Sequence, residues 1–176
     1  MNPLAGVGYR LRVIPLVERE IRSSFVNCSK GEATRLNLPR DLRETNWEAL
    51  DFLGWRDPQS PERGYLVAEH DGSLTGIVMR FPQGVKRSVV KTTVCSVCVT
   101  SHGGTGVALF VAPRVGAAGR QGNTVGAYLC SDLACSLYVR GLKATDRLSG
   151  SETLSVEDKV TRLTLNLEDF VAKVLA

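Results

Sequence analysis

Apolar residues recur along this chain in two rhythms. Helical spacing links Val17, Ile21, Phe25 and Cys28, and then Val156, Val160, Leu163, Leu167, Val171 and Val174 near the C-terminus. The first set predicts a helix over residues 15–27, opened by Pro15 and ended by Lys30-Gly31, with Cys28 in the core on its apolar stripe. The second predicts a helix capped by Ser155, with Asp158 three residues on. The alternation Thr164-Leu165-Asn166-Leu167 marks a point where it could divide. Between the helices the rhythm is that of strands. Residues 65–70 and 74–81 predict a hairpin about Asp71-Gly72, and this makes His70 an exposed turn residue. Further strands are predicted over 89–94, 107–113 and 124–129. Residues 31–57 predict loop with short helical pieces, where Trp47, Leu50, Phe52, Leu53 and Trp55 form a small satellite core.

Five cysteines punctuate this pattern, and four form two close pairs, Cys95-Ser-Val-Cys98 and Cys130-Ser-Asp-Leu-Ala-Cys135. The N-terminus shows no basic start followed by an apolar stretch and cleavage site, so the chain reads as cytoplasmic, where disulfides are rare. Paired cysteines in such a chain point to a metal; a redox dithiol and buried unligated thiols are the other readings. Four thiolates suit one tetrahedral Zn²⁺, and a two-residue gap lets Cys95 and Cys98 point at the same ion. Cys130 and Cys135 cannot share a helical face, being about 140° apart around an axis. They can converge if Cys130 ends a strand, Ser131 caps a helix over 132–142, and Cys135 lies in its first turn. Knuckle, hairpin and helix in that order make a treble clef. His102 competes as a ligand, but four cysteines already close the shell, leaving it an ordinary loop histidine.

Charge adds a possible surface. Residues 72–131 contain no Asp or Glu but hold Arg80, Lys86, Arg87, Lys91, Arg114 and Arg120. Such a segment suits an acidic protein or phosphates; the plainer reading is a sheet that uses Ser and Thr as its polar residues. Residues 114–123 predict a flexible, Gly-rich basic tip, and Gly116, Gly119 and Gly122 lack the Gly-Lys-Ser/Thr ending of a phosphate loop. No carboxylate pair, Gly-x-Ser-x-Gly or His-Glu-x-x-His stands out, so the chain reads as a binding protein and not an enzyme. Its apolar runs are too short for a membrane span.

Taken together, the segments 21–30 (Ile-Arg-Ser-Ser-Phe-Val-Asn-Cys-Ser-Lys) and 50–58 (Leu-Asp-Phe-Leu-Gly-Trp-Arg-Asp-Pro), with Trp47, Gly76-Ile-Val-Met79 and the four paired cysteines, resemble the FBP family, relatives of the C-terminal domain of FusB-type elongation factor G-binding proteins. The resemblance runs over roughly residues 16–172 and implies a mixed α/β domain with a treble-clef zinc finger that binds elongation factor G. Only the metal shell carries over, as Cys95, Cys98, Cys130 and Cys135. FusB has a Cys and a His in its first ligand pair, and its aromatic after the first ligand is Ser96 here.

The expected architecture is α+β: a mixed antiparallel sheet with a treble-clef zinc finger and flanking N- and C-terminal helices. An irregular segment 1–15 precedes an α/β part over 16–90, the finger over 91–150, and a C-terminal helix over 151–176 that packs on the same domain. One structural Zn²⁺ is expected per chain. Lys91, Arg114, Arg120 and Arg140 are the candidate contacts to elongation factor G, with the ribosome as a further partner. RNA or DNA binding by the treble clef is the alternative.

Overall fold

The computed structural model describes residues 15–81, 92–145 and 152–176. Lys91 and the start of the strand expected over 89–94 lie outside these residues. Helix α1 (Glu18–Ser24) and helix α2 (Lys30–Arg35) lead into two single 3₁₀ turns, Leu42–Glu44 and Trp47–Ala49. Strands β1 (Leu53–Arg56), β2 (Arg63–His70), β3 (Ser73–Arg80), β4 (Thr93–Val94), β5 (Ser101–His102) and β6 (Val107–Pro113) follow. Helix α3 (Gly116–Arg120), strand β7 (Thr124–Cys130), helix α4 (Cys135–Val139) and helix α5 (Val156–Leu175) complete the chain. An antiparallel sheet runs in the order β1-β2-β3-β6-β7, and β4 pairs with β5 apart from it. Among the described residues no helix is long and apolar enough to cross a membrane.

The expected α+β architecture is present, and alternation along β2 shows why its core has two parts. Leu66 and Ala68 face one way, into a cluster with Ile77, Met79, Phe110 and Leu129. Tyr65 and Val67 face the other, into a cluster with Ile21, Leu36, Leu53 and Trp55. The first layer is closed by α5, whose Leu163, Leu167, Phe170, Val171 and Val174 are buried in it. The second is closed by α1, α2 and the Trp-rich segment, where Trp55 and Tyr65 lie with ring centroids 5.0 Å apart. The satellite core is therefore real, except that Phe52 belongs to the first cluster.

The β2–β3 hairpin turns at Asp71 and Gly72, with φ of 48° and 73°, as a two-residue turn requires. The N-terminal helix differs from expectation. It ends at Ser24, and residues 25–27 run beside β3: Phe25 bridges Gly76 in parallel, and the Val26 N–H donates to the Gly76 carbonyl at 3.0 Å. This close approach needs glycine, because a Cβ at Gly76 would lie 2.5 Å from Ser24 Oγ. Lys30-Gly31 opens α2 instead of ending a helix, since Ser29 and Glu32 form a capping box. Cys28 consequently sits in the bend between the helices, half-buried against the second cluster.

β3 and β6 share only the register pair Arg80–Val111, and Asn27 fills the gap where they part. Its Nδ2 donates to the Val78 and Pro113 carbonyls at 2.9 and 3.0 Å, and its Oδ1 accepts from the Val78 N–H at 2.8 Å.

Helix α5 is continuous through the Thr164–Leu167 alternation. Thr164 and Leu167 both fall on the buried stripe, while Leu165 is exposed. The stripe meets the core from Val160 on, leaving Val156 exposed. Ser155 Oγ accepts the Asp158 N–H at 3.1 Å, as its position predicts. Replacing Ser155 with Ala removes that cap and is expected to cost about 1 kcal/mol of unfolding free energy. A denaturant titration checks it, and an unchanged midpoint would show that the cap contributes nothing.

Candidate metal centre

The centre is assembled from three local structures. The first is a knuckle between β4 and β5. The Cys95 N–H donates to the Thr100 carbonyl at 3.0 Å, and the Val99 N–H donates to the Cys95 carbonyl at 3.0 Å. The Cys98 N–H points back at Cys95 Sγ, 3.5 Å away. Closing so tight a loop puts Val99 at φ 61°, a left-handed conformation that β-branched residues rarely adopt.

The second is the β6–β7 hairpin, which ends on Cys130, and the third is α4, which begins on Cys135. Ser131 does not cap this helix. Its hydroxyl donates to the Thr105 carbonyl, and the chain passes through Leu133 at φ 57° before the helix starts, three residues later than expected. Asp132 organises that passage: its carboxylate accepts from the Ala134 N–H at 3.0 Å, Tyr138 Oη at 2.8 Å and Lys143 Nζ at 2.7 Å. Burial alone would raise the Asp132 carboxyl, but those hydrogen bonds, first from Lys143, hold it below its ordinary range.

All four expected cysteines meet. Their sulfurs lie within 4.8 Å of one another, and all four residues are buried. Cys95 Sγ is 3.7 Å from Cys135 Sγ, and Cys98 Sγ is 3.5 Å from Cys130 Sγ. A tetrahedron with Zn–S bonds of about 2.3 Å has edges of roughly 3.8 Å, whereas a disulfide would need about 2.05 Å. The donor set therefore fits one zinc and not a pair of bridges. As bare thiols the four compete for protons. Hydrogen bonds from Cys130 and Cys135 draw Cys95 far down, and those with Cys130 and Cys95 hold Cys135 far up. A divalent cation removes that competition by taking four thiolates at once.

The surroundings contain residues that sequence reasoning missed. His102 is not an ordinary loop histidine: it is buried, with Nε2 3.3 Å from Cys130 Sγ and its ring edge-on to Tyr138. Gly106 makes the room, since a Cβ there would lie 2.5 Å from that of His102. Asn166 Nδ2 donates to the Val97 carbonyl at 3.0 Å, and Arg162 reaches the Cys98 carbonyl at 3.4 Å, so α5 clamps the knuckle through its backbone. The spacing of Arg162 and Asn166, one turn apart beside the apolar stripe, is the only sign of this in the sequence.

The candidate contact residues are placed differently from one another. Arg114 and Arg120 stand at the hairpin tip. That tip is folded, not the flexible loop expected from its glycines: α3 is closed by Gln121 and Asn123 N–H groups donating to the Ala118 carbonyl at 3.2 and 3.0 Å. Arg140 faces inward. Its guanidinium grips the Asp51 carboxylate at 2.5 and 2.8 Å and donates to the Ser136 carbonyl at 3.1 Å, while the Asp51 N–H donates to Ser136 Oγ at 2.9 Å. Arg140 is thus an internal tie between α4 and the segment before β1, and its charge is already matched.

Compared with known proteins, the chain is similar to the structure of the fusidic acid resistance protein FusC at 17% identity and a TM-score of 0.48. That similarity covers 79% of this chain and 51% of the other, so this chain spans about half of its length. No curated protein matches. The model of the FBP C-terminal treble-clef zinc-finger, by contrast, matches residues 20–174. With knuckle, hairpin and helix delivering four sulfurs to one point, that match over nearly the whole chain shows that it belongs to the FBP C-terminal treble-clef zinc-finger family and is built for one structural zinc.

Proposed function

We propose that the chain is a zinc-stabilised adaptor that binds translation elongation factor G, with Cys95, Cys98, Cys130 and Cys135 as the zinc ligands. The observation that carries this reading is the family match over residues 20–174, and the convergence of the four thiols supports it. A shell closed by four thiolates leaves zinc no position for water or substrate, so the metal holds shape and the chain acts by binding, not by catalysis. Four thiolates and one Zn²⁺ together carry a charge of −2, and the positive potential of the finger is reduced accordingly. Docking then depends on a shaped surface in which Arg114 and Arg120 at the tip supply charge-assisted contacts.

Calorimetric titration of the zinc-loaded chain into purified elongation factor G, at two salt concentrations, tests this. Saturable one-to-one binding that survives the higher salt is expected, and no heat at micromolar concentrations would overturn the reading. The acid-free stretch over residues 72–131 favours a second reading, in which the finger contacts RNA or DNA. That reading requires affinity to fall steeply with salt as phosphate contacts release counterions.

A further inference from the structure

Beside the hairpin tip, and apart from the metal centre, a cleft of about 390 Å³ opens between residues 26–32 and the segment 113–120. Arg114 and Arg120 line one side of it, and Ser29 and Glu32 line the other. Neither guanidinium has an ion-pair or side-chain hydrogen-bond partner among the described residues. Glu32 forms no ion pair with either of them. Its Oε2 accepts from the Ser29 N–H and hydroxyl, both at 2.9 Å.

The arginine wall is rigidly built. α3 folds back so closely that a Cβ on Gly119 would lie well inside contact distance of the Arg114 carbonyl oxygen. Arg114 is held from the other side, since its N–H donates to the Asn123 carbonyl at 3.0 Å. Backbone packing therefore fixes where the two arginines leave the main chain, while their guanidinium groups, which have no partner of their own among the described residues, are ordered by the ligand they engage.

We infer that this cleft binds a phosphate-bearing small molecule with free hydroxyls, of sugar-phosphate to nucleotide size. The forked donors of two arginines match the oxygens of a phosphate. Glu32 lines the cleft and its Oε1 accepts no hydrogen bond among the described residues, which leaves it an acceptor for a ligand hydroxyl. The volume lies at the lower end of the range for small-molecule sites. The inference concerns the isolated chain and stands whether or not elongation factor G binds.

The test is calorimetric titration of the zinc-loaded chain with inorganic phosphate, ribose 5-phosphate and GDP, repeated on Arg114→Gln/Arg120→Gln. Ribose 5-phosphate is expected to bind saturably and roughly tenfold more tightly than inorganic phosphate, through the added hydroxyl contact. The double variant is expected to lose at least roughly tenfold in affinity with zinc content unchanged. Should that variant misfold, Arg114→Lys/Arg120→Lys keeps the charge but loses the fork, and weakened binding by the folded protein makes the same point. Absence of saturable binding at millimolar concentrations, or equal affinity in the variants, overturns the inference. So does an Asp/Glu-rich peptide that binds through these arginines while the phosphates do not, because the cleft would then be a carboxylate site for protein partners.

Discussion

Replacing Cys130 with Ser is expected to abolish stoichiometric zinc and to unfold the finger. Cys130 is the last residue of β7 and its sulfur faces Cys98 across 3.5 Å, so it is the proposed ligand through which the sheet would reach the knuckle. A serine hydroxyl stays protonated and binds zinc poorly, leaving three thiolates and an open position. Structural zinc is worth about 10–16 kcal/mol of apparent binding free energy in small finger peptides. That is as large as the roughly 5–15 kcal/mol by which a whole domain is stable. The loss reaches the main core, because Cys95, Cys98, Cys130 and Cys135 belong to the same buried cluster as Leu66, Phe110 and Leu167. Metal content by mass spectrometry and a thermal melt by circular dichroism check this. A variant that kept one zinc and the parent midpoint would remove Cys130 from the shell. Cys28→Ser is the control: Cys28 lies in the bend before α2, away from the four sulfurs, and zinc content is expected to stay at one per chain.

The convergence of the four thiols was legible in the sequence because a zinc site restricts both residue type and spacing, and few other arrangements satisfy four closely spaced cysteines. The Asp71-Gly72 hairpin was legible for a similar reason: a two-residue turn demands left-handed backbone at both positions. What escaped was set by distant contacts. The apolar spacing through Phe25 and Cys28 continues past Ser24, but the missing side chain at Gly76 lets residues 25–27 leave the helix and lie along β3. A local signal was present there, in the capping box of Ser29 and Glu32, and it outranks the helix-ending reading of Lys30-Gly31. The tip shows the same limit. Gly119 was read as freedom, whereas in the fold it permits close packing against Arg114. Charge counting within a segment could not show that Arg140 is matched, because its acid lies 89 residues away.

That pairing gives the second large expected effect. Arg140→Met is expected to destabilise the chain by about 3–5 kcal/mol, the range for removing one partner of a buried ion pair. At roughly 2–4 °C per kcal/mol for a chain of this size, the midpoint should fall by on the order of 10 °C. The two halves of the pair are not equivalent. Asp51 is 2% exposed and takes both its strong hydrogen bonds from Arg140, so losing the guanidinium strands a carboxylate out of reach of water. The Arg140 side chain is 21% exposed and also has the Ser136 carbonyl, so Asp51→Asn leaves a cation that still finds partners. Arg140→Met should therefore cost more than Asp51→Asn, and the double variant should recover part of the loss, because no buried charge is left unpaired. Zinc content should remain at one per chain in all three, since neither residue contributes a sulfur; the tie holds α4 against the segment before β1. A thermal melt of the three variants measures the ordering. Equal losses from the two single changes would mean that water reaches Asp51 once Arg140 is gone, and that the pair orients α4 without carrying much of the stability.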